Sequence, residues 1–172
     1  MTLKAELRVR LEATQTGESD FGSVSFTPLM QLAQALADGT GANQADVLWM
    51  DERPVADGAN DDLDLSGALT DVFGNSVNMA EVVAIFIINA PRSGSANTTD
   101  LTIGGATNAF EGFLGGTSPT IGPIKPGGFL AIGAGDAAGI GAVTGGSEDE
   151  LRIANSAGAA ATYQVAIIGR SA

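Results

Sequence analysis

One short stretch has residue types and spacing suited to binding a cofactor. In the segment FLAIGAGDAAGIG (129–141), Gly133, Gly135 and Ala138 fit the G-x-G-x-x-A fingerprint, which brings a dinucleotide pyrophosphate to the start of a helix. The segment that follows, GIGAVTGGSEDE, contains four further glycines, each of which costs about 1 kcal/mol of helix propensity. Because phosphate capture needs the N–H groups of a helix N-terminus, we predict a turn between strands here and no bound cofactor.

The densest acidic stretch offers oxygen ligands of the kind that bind calcium. The segment ADGANDDLDLSG contains Asp57, Asn60, Asp61, Asp62 and Asp64. Its spacing differs from that of an EF-hand loop, and Asp and Asn also form ordinary turns between strands. The residues therefore favour a turn without a metal, and calcium binding is the alternative. A second acidic run, SEDE at 147–150, is predicted to be a solvated loop before a strand.

The composition removes most catalytic chemistry. The chain has no histidine and no cysteine, which excludes the usual zinc sites and both Ser-His and Cys-His catalysis. The two lysines, Lys4 and Lys125, lie in no S-x-x-K motif. A pair of carboxylates that meets only in the folded chain is the arrangement that the sequence leaves open. We expect a protein that is not an enzyme.

The charge is strongly acidic but unevenly distributed. The formal net charge is −12, which argues against nucleic acid as a partner because phosphate binding needs a basic surface. Three of the eight basic residues, Lys4, Arg8 and Arg10, lie within the first ten positions. The longest apolar run, VVAIFII at 82–88, is too short to span a bilayer as a helix, so no membrane partner is predicted.

The amino-terminal residues alternate between apolar and polar types. From Leu3 to Ala13 every second residue is apolar, which predicts a half-buried strand. A helix is the alternative, because Leu3, Leu7 and Leu11 are also four residues apart. The segment TPLMQLAQALADG then predicts a short helix over 28–38, with Thr27 as N-cap and Pro28 at the first helical position. We therefore assign an amino-terminal strand or arm and a short helix to residues 1–45.

Short strand patterns separated by turn residues fill the remainder of the chain, 46–172. The run VVAIFII predicts a strand covered on both faces, and from residue 100 onward strand patterns alternate closely with Gly, Pro, Asn and Ser clusters. This spacing is typical of a β-sandwich or barrel. The predicted fold class is all-β with one short helix near the amino end.

The nine aromatic residues are scattered singly and are predicted to be core residues rather than a base-stacking surface. Trp49 is the exception that we consider as a surface residue. It lies beside Met50 and the segment DERP, and Trp, Met and Arg are enriched at protein interfaces. Trp49 is therefore a candidate subunit contact.

Several segments of residues 63–172 carry a family resemblance. They are the P-G-G turn at 126–128 before an apolar strand, the strand DELRIAN, the closing strand YQVAIIG and the segment LTDVFGNSVNMAEVVAIFIINA. Together they resemble small virion proteins of tailed bacteriophages. The resemblance implies a jelly-roll-like antiparallel β-sandwich, made in the host cytoplasm, that binds the major capsid protein as a decoration (cement) protein of the virion. A homotrimer is expected, because capsid lattices offer local three-fold positions.

Two other functions remain alternatives. A neck or tail component belongs to the same broad class, and a carbohydrate-binding β-sandwich module belongs to a different one. The sugar-binding alternative has little support, because the chain contains one tryptophan and one tyrosine.

The amino-terminal alternation also supplies the predicted contact residues. We expect residues 1–15 to contribute to capsid attachment, with apolar side chains buried against a neighbour or the protein's own sheet and basic ones facing acidic groups. The alternative is that this segment is simply a core strand. The candidate capsid or subunit contacts, besides Trp49, are Leu3, Lys4, Leu7, Arg8, Val9, Arg10 and Leu11.

Overall fold

The protein is built from antiparallel β-strands. The computed structural model describes residues 2–113 and 115–172, and within them it contains fifteen strands and no helix. All strand pairings are antiparallel. The strands are β1 (Ala5–Glu12), β2 (Gln15–Ser19), β3 (Gly22–Phe26), β4 (Leu29–Leu36), β5 (Val47–Val55), β6 (Asn60–Asp64), β7 (Ser66–Thr70), β8 (Ser76–Asn78), β9 (Glu81–Ile88), β10 (Leu101–Gly104), β11 (Thr120–Ile124), β12 (Phe129–Gly133), β13 (Gly141–Ala142), β14 (Glu150–Asn155) and β15 (Ala161–Arg170).

Two larger sheets form the body of the molecule, which begins at β5. One sheet has the order β12-β9-β15-β5, with the short β13 also paired to β9, and the other has the order β11-β10-β14-β6. Alternate residues of β14 and β15, such as Ile153 and Ile167, are fully buried in one apolar core to which both sheets contribute. A small hairpin of β7 and β8 adds Leu69 and Val77 to the same core.

Strand β9 is covered on both faces along only part of its length. Its residues Ile85 and Ile87 face the shared core, whereas Val83 and Ala84 lie in a second, smaller apolar cluster on the outer side of the sheet. Ile88, at the end of the strand, is 39% exposed. The sequence-based prediction of a strand here is confirmed, but the outer cover is incomplete.

The amino-terminal residues form a β-arm, which contains the predicted strand but has further strands in place of the predicted helix. The arm comprises residues 5–36: β1 pairs with β4 over eight residues, from Ala5 opposite Leu36 to Glu12 opposite Leu29, and β2 and β3 form a hairpin beyond them. At the body end, Leu7 and Leu36 are buried in the smaller apolar cluster. Every residue from 8 to 33 is exposed.

The predicted helix over 28–38 is wrong, because this segment is β4. Local signals at Thr27 and Pro28 are typical of a helix start. The Pro28 carbonyl instead accepts a hydrogen bond from Ala13 N, at the junction between the β1–β4 pair and the β2–β3 hairpin. The spacing of Leu32 and Leu36 suits one face of a strand as well as one turn of a helix. Pairing with the regular alternation of β1 decides between them, and such non-local pairing routinely overrides helix propensity.

Candidate interaction surface

The glycine-rich segment 133–141 supplies carbonyl acceptors to a buried arginine. The Arg170 side chain is fully buried and donates hydrogen bonds to the carbonyls of Asp136 and Ala137, each at 2.7 Å, and to the carbonyl of Gln44 at 3.0 Å. It also forms an ion pair with the Glu81 carboxylate at 2.7 Å. The loop carbonyls thus satisfy the hydrogen bonds of a buried cation, and the Glu81 carboxylate balances its charge.

This loop has no helix after it with which to hold a phosphate. Its N–H groups are directed inward: Ala134 and Ile140 donate to the carbonyls of Val83 and Val82, and Ala138 donates to the Asp136 carboxylate. Gly139 has a φ of +58°, and a Cβ there would collide with the Val82 carbonyl. The segment then continues directly into β13. The glycines therefore form a close turn between strands.

The acidic stretch 57–64 is occupied by contacts within the protein. Asp62 forms an ion pair with Arg152 at 2.6 Å, Asp57 accepts a hydrogen bond from Gly158 N, and Asp64 accepts from Ser66 N. Within residues 2–113 and 115–172 no group of three or more acidic side chains is placed to hold a metal ion. The run SEDE is only partly the predicted solvated loop, because Asp149 is 4% exposed and accepts a hydrogen bond from the Ser66 hydroxyl.

Asp61 is the centre of a polar cluster on the core side of the body. Arg53 donates to it at 2.6 and 2.9 Å, and the Tyr163 hydroxyl donates at 2.7 Å. Burial opposes ionisation of Asp61, but the hydrogen bonds from Arg53 and Tyr163 outweigh it and lower the pKa of Asp61. Burial, together with the hydrogen bond to Asp61, raises the pKa of Tyr163. The arrangement is a stable ion pair rather than an acid and base poised for proton transfer.

Trp49 belongs to this interior and not to the surface. Its side chain is 3% exposed, and the Arg53 guanidinium lies 6.0 Å from its ring centroid. The predicted subunit contact at Trp49 therefore has no exposed surface in this structure. Its neighbour Met50 points to the other face of the sheet and is 56% exposed.

The predicted contact residues of the arm divide into an apolar and a charged face. Lys4, Arg8 and Arg10 are exposed, and Arg8 and Arg10 form surface ion pairs with Glu6 and Glu12. On the apolar face, Leu7 is buried and Leu3 is half-buried against the body, whereas Val9 and Leu11 are exposed. The two alternatives, contact arm and core strand, thus apply to different residues of the same strand.

Strand β4 extends the apolar face of the arm. Leu32 lies opposite Val9 and Met30 lies opposite Leu11, so the four side chains share one face. Their exposed fractions are 54% for Val9, 57% for Leu11, 66% for Met30 and 60% for Leu32. We call these four residues the arm face. Within the part of the chain that the structure describes, no hydrogen bond or ion pair joins residues 8–33 to residues beyond 36.

A second apolar surface lies on the outer side of the sheet β12-β9-β15-β5. The strand registers place its side chains in three rows of four, and the arm covers the first row through Leu7. The other two rows we call the outer sheet face. The first row is Leu48, Ile168, Ala84 and Gly133; the outer sheet face is Met50, Ala166, Phe86 and Ala131, followed by Glu52, Gln164, Ile88 and Phe129.

Two adjoining grooves meet at Met50: one lies beside the edge strand β5 at Val47 and Leu48, and the other lies along the outer sheet face. They have volumes of about 500 and about 690 Å³ and share Met50 and Val72, and the turn between β7 and β8, which carries Val72 and Phe73, forms part of their lining. Val72 and Phe73 are 80% and 71% exposed. The sequence analysis missed this surface. The alternation of β5 was a signal, but Trp49 and Met50 are both apolar, so the pattern does not tell which of them faces outward.

Comparisons with known proteins add no identification. No protein family matches the chain, and no curated protein and no solved structure matches it. Among the described residues, no helix is long and apolar enough to cross a membrane.

We predict that Arg170→Met strongly destabilises the body. The change leaves Glu81 and three carbonyl groups without their shared buried donor, and breaking a buried pair in this way costs about 3–5 kcal/mol. Chemical denaturation measures the loss. Arg8→Met is the matched control, because it removes the same charge from an exposed ion pair and should leave the unfolding midpoint unchanged. Equal effects of the two changes would contradict a stabilising role for the buried contacts of Arg170.

We predict that Asp61→Asn lowers stability at neutral pH and weakens its dependence on acid. Since the pKa of Asp61 is lowered in the folded protein, its contribution is complete above the ordinary value of 3.8 and is lost as the pH falls through the lower folded value. At pH 7 the free energy of unfolding of the variant should be about 2 kcal/mol lower than that of wild type, which is typical of hydrogen bonds to a charged group. Below pH 3.8 this difference should shrink, because wild type loses the same contribution. Asp62→Asn, at the next position of β6, is the control and should show a smaller loss at pH 7. Denaturation from pH 7 to pH 2 tests both variants, and parallel profiles of Asp61→Asn and wild type would contradict the assignment.

Proposed function

We propose that the protein is a non-enzymatic structural protein of a bacteriophage virion, which binds the outer capsid surface as a decoration protein. The observation that carries the proposal is the β-arm: 26 consecutive residues, 8–33, are exposed although they form hydrogen-bonded strands. A two-stranded ribbon is marginally stable in water on its own, so the arm is suited to a partner surface.

The strand order of the body supports a jelly-roll sandwich. Without the small β7, β8 and β13, eight strands remain, and they alternate between the two sheets except for the consecutive pair β10 and β11. The first, eighth, third and sixth of them form one sheet, and the second, seventh, fourth and fifth form the other. This order agrees with an eight-stranded jelly roll, an architecture found in viral capsid proteins and also in lectins. The order is therefore compatible with a virion protein and with a sugar-binding one.

The exposed aromatic residues favour the virion protein over the carbohydrate-binding module. Trp49 and Tyr163, the side chains best suited to contact a sugar through both an apolar ring and a polar atom, are 3% and 0% exposed. The exposed aromatics are phenylalanines, among them Phe21, Phe73 and Phe129. Phenylalanine has no polar atom with which to select a hydroxyl group. Such a surface is better suited to another protein.

Attachment to the capsid is assigned to the basic side of the arm, and contact with a neighbouring subunit is assigned to its apolar side. The arm face is apolar, and burying its four roughly half-exposed side chains is worth about 4–7 kcal/mol before ordering costs. Lys4, Arg8 and Arg10, on the opposite face, are placed to meet acidic groups of the major capsid protein. Charge of this kind mainly sets the rate and orientation of association. The proposed assembly is a homotrimer at a three-fold position of the capsid, without nucleic acid or membrane as a partner.

The position on the virion is tested by labelling. Antibody raised against the purified chain is applied to virions of the phage that encodes it and visualised by electron microscopy. Label over the whole head surface is the expected result. Label at one vertex or along the tail would replace the proposal with the neck or tail alternative, and binding of the purified chain to glycans without any virion label would favour the carbohydrate-binding alternative.

We predict that the basic face of the arm contributes to capsid binding. The triple variant Lys4→Ala, Arg8→Ala and Arg10→Ala should bind heads that lack the protein about tenfold more weakly than wild type at low salt. The difference should shrink as salt increases, because exposed charges are screened. Cosedimentation with such heads measures binding, and a Glu6→Ala and Glu12→Ala variant is the control of opposite charge. Equal binding of the triple variant and wild type at low salt would remove the basic face from attachment.

A further inference from the structure

We propose that the arm face of one copy of this chain packs on the outer sheet face of a second copy. The arm face is Val9, Leu11, Met30 and Leu32. The receiving surface is the two uncovered rows that contain Met50, Phe86, Ile88 and Phe129. The inference deepens the homo-oligomer part of the proposed function by naming its contact, and it is tested without any capsid.

The structure already shows the same kind of contact within one chain. The side of the arm that carries Val9 and Leu11 also carries Leu7, and Leu36 lies on this side in β4. Leu7 and Leu36 are buried with Ala84 and Ile168 of the first row of the sheet. The remaining rows continue the same sheet surface, and the arm face continues the same side of the arm. The arm face and the outer sheet face are therefore continuations of two surfaces that already pack together within one chain.

The contact within one chain is centred on the first row and reaches only Phe86 in the second. Beyond Leu7, the arm residues 8–33 are all exposed, and Phe129 and Met50 of the sheet are 73% and 56% exposed. The arm of the same chain thus leaves most of the outer rows uncovered, including Met50, Ile88 and Phe129. A second copy supplies an arm for these rows. In a trimer, an exchange in which each arm lies on the sheet of the next copy around the three-fold axis satisfies all three copies.

Charge selects these surfaces for contact between copies. With a net charge of −12, two copies repel each other over most of their surfaces. The arm face contains no charged side chain, and in the two uncovered rows Glu52 is the only one. Glu52 lies at the sheet edge, where its carboxylate accepts a hydrogen bond from Arg92 N. These are surfaces on which two acidic copies can meet without bringing carboxylates together.

The dimensions also agree. A ribbon of two eight-residue strands is about 26 Å long and about 10 Å wide, which is half the width of a four-stranded sheet. A stable interface uses roughly 20–30 residues on each side. The apolar side of the exposed segment 8–33 presents about half of its residues, because side chains of a strand alternate between two sides. Together with the eight residues of the outer sheet face, each copy contributes a number close to that range.

Cross-linking between separately labelled copies tests the contact. The chain has no cysteine, so single cysteines can be introduced without background. One preparation carries Leu11→Cys and another carries Ile88→Cys; after mixing and mild oxidation, we expect a disulfide between the two preparations. Arg10→Cys is the matched control, because Arg10 is adjacent but lies on the opposite side of the arm. The Leu11 and Ile88 pair should cross-link at least tenfold faster than the Arg10 and Ile88 pair.

Sedimentation tests the same contact without cysteine. The wild-type chain should associate reversibly above its monomer mass of 17.2 kDa. Val9→Ser with Leu32→Ser should raise the dissociation constant at least tenfold, whereas Arg10→Ser with Gln31→Ser, a facing pair on the other side, should change it less than twofold. Both preparations are compared with wild type by circular dichroism, so that a folding defect is recognised. A folded Val9 and Leu32 variant that associates like wild type would overturn the proposal.

The outcomes separate this inference from the capsid proposal. Cross-linking is carried out in solution and again on assembled heads. A cross-link without head binding supports the contact between copies and contradicts the capsid proposal. Head binding with equally slow cross-linking of the Leu11 and Arg10 variants, both in solution and on heads, would show that the arm face lies on the capsid protein instead and would overturn the inference.

Discussion

The body depends on the position of β15 between two other strands. Val165 is hydrogen-bonded into a ladder with both β5 and β9, opposite Asp51 and Ile87, so this strand has a partner on each side. Its inward side chains fill the core, its Tyr163 holds Asp61, and its Arg170 holds the loop after β12. A strand that is central in the sheet joins segments more than 100 residues apart, such as Val55 and Ala161. Much of the chain must be ordered before this pairing is complete, as is typical of β-sandwich topologies.

The strands were predicted best where periodicity and burial agree. Alternation from Leu3 to Ala13 predicted β1, and the turn-bounded runs predicted β9, β12, β14 and β15. The helix prediction for 28–38 failed because its signals are local, whereas the paired residues of β1 lie 17 to 31 positions earlier, from Glu12 opposite Leu29 to Ala5 opposite Leu36. The order of the strands in the two larger sheets depends on contacts across the chain that no local pattern contains.

The candidate surface was predicted only in part for a related reason. The sequence indicated the apolar side of β1, including Val9 and Leu11, but assigned Met30 and Leu32 to a helix, which would have separated them from it. On β5, Trp49 and Met50 are adjacent apolar residues, and only the packing of Trp49 beneath Arg53 shows that Met50 faces outward. Local periodicity identifies the strand, whereas the other sheet determines which face is buried.

The arm combines an apolar side with a side that limits indiscriminate association. Ribbon edges offer backbone groups to any other strand, and charged side chains on edge strands are a common way of discouraging such pairing. Arg8 and Arg10 are held beside Glu6 and Glu12 along β1, so this side is charged and hydrated. A charged, hydrated side does not bind apolar surfaces in general. Apolar contacts are therefore made by the opposite side, which carries Val9 and Leu11.

The two proposed contacts of the arm respond to salt in opposite directions, for a reason that lies in the charges of the body. Four of its five basic residues, Arg53, Lys125, Arg152 and Arg170, are engaged in ion pairs with carboxylates. The other acidic groups leave the body surface strongly negative, so salt screens repulsion between copies and favours their association through the arm face. Attachment through Lys4, Arg8 and Arg10 is an attraction between opposite charges and is weakened by the same screening. An apolar contact between copies and a charged contact to the capsid can therefore coexist on one arm. The first uses the side that carries Val9 and Leu11, and the second uses the side that carries Arg8 and Arg10.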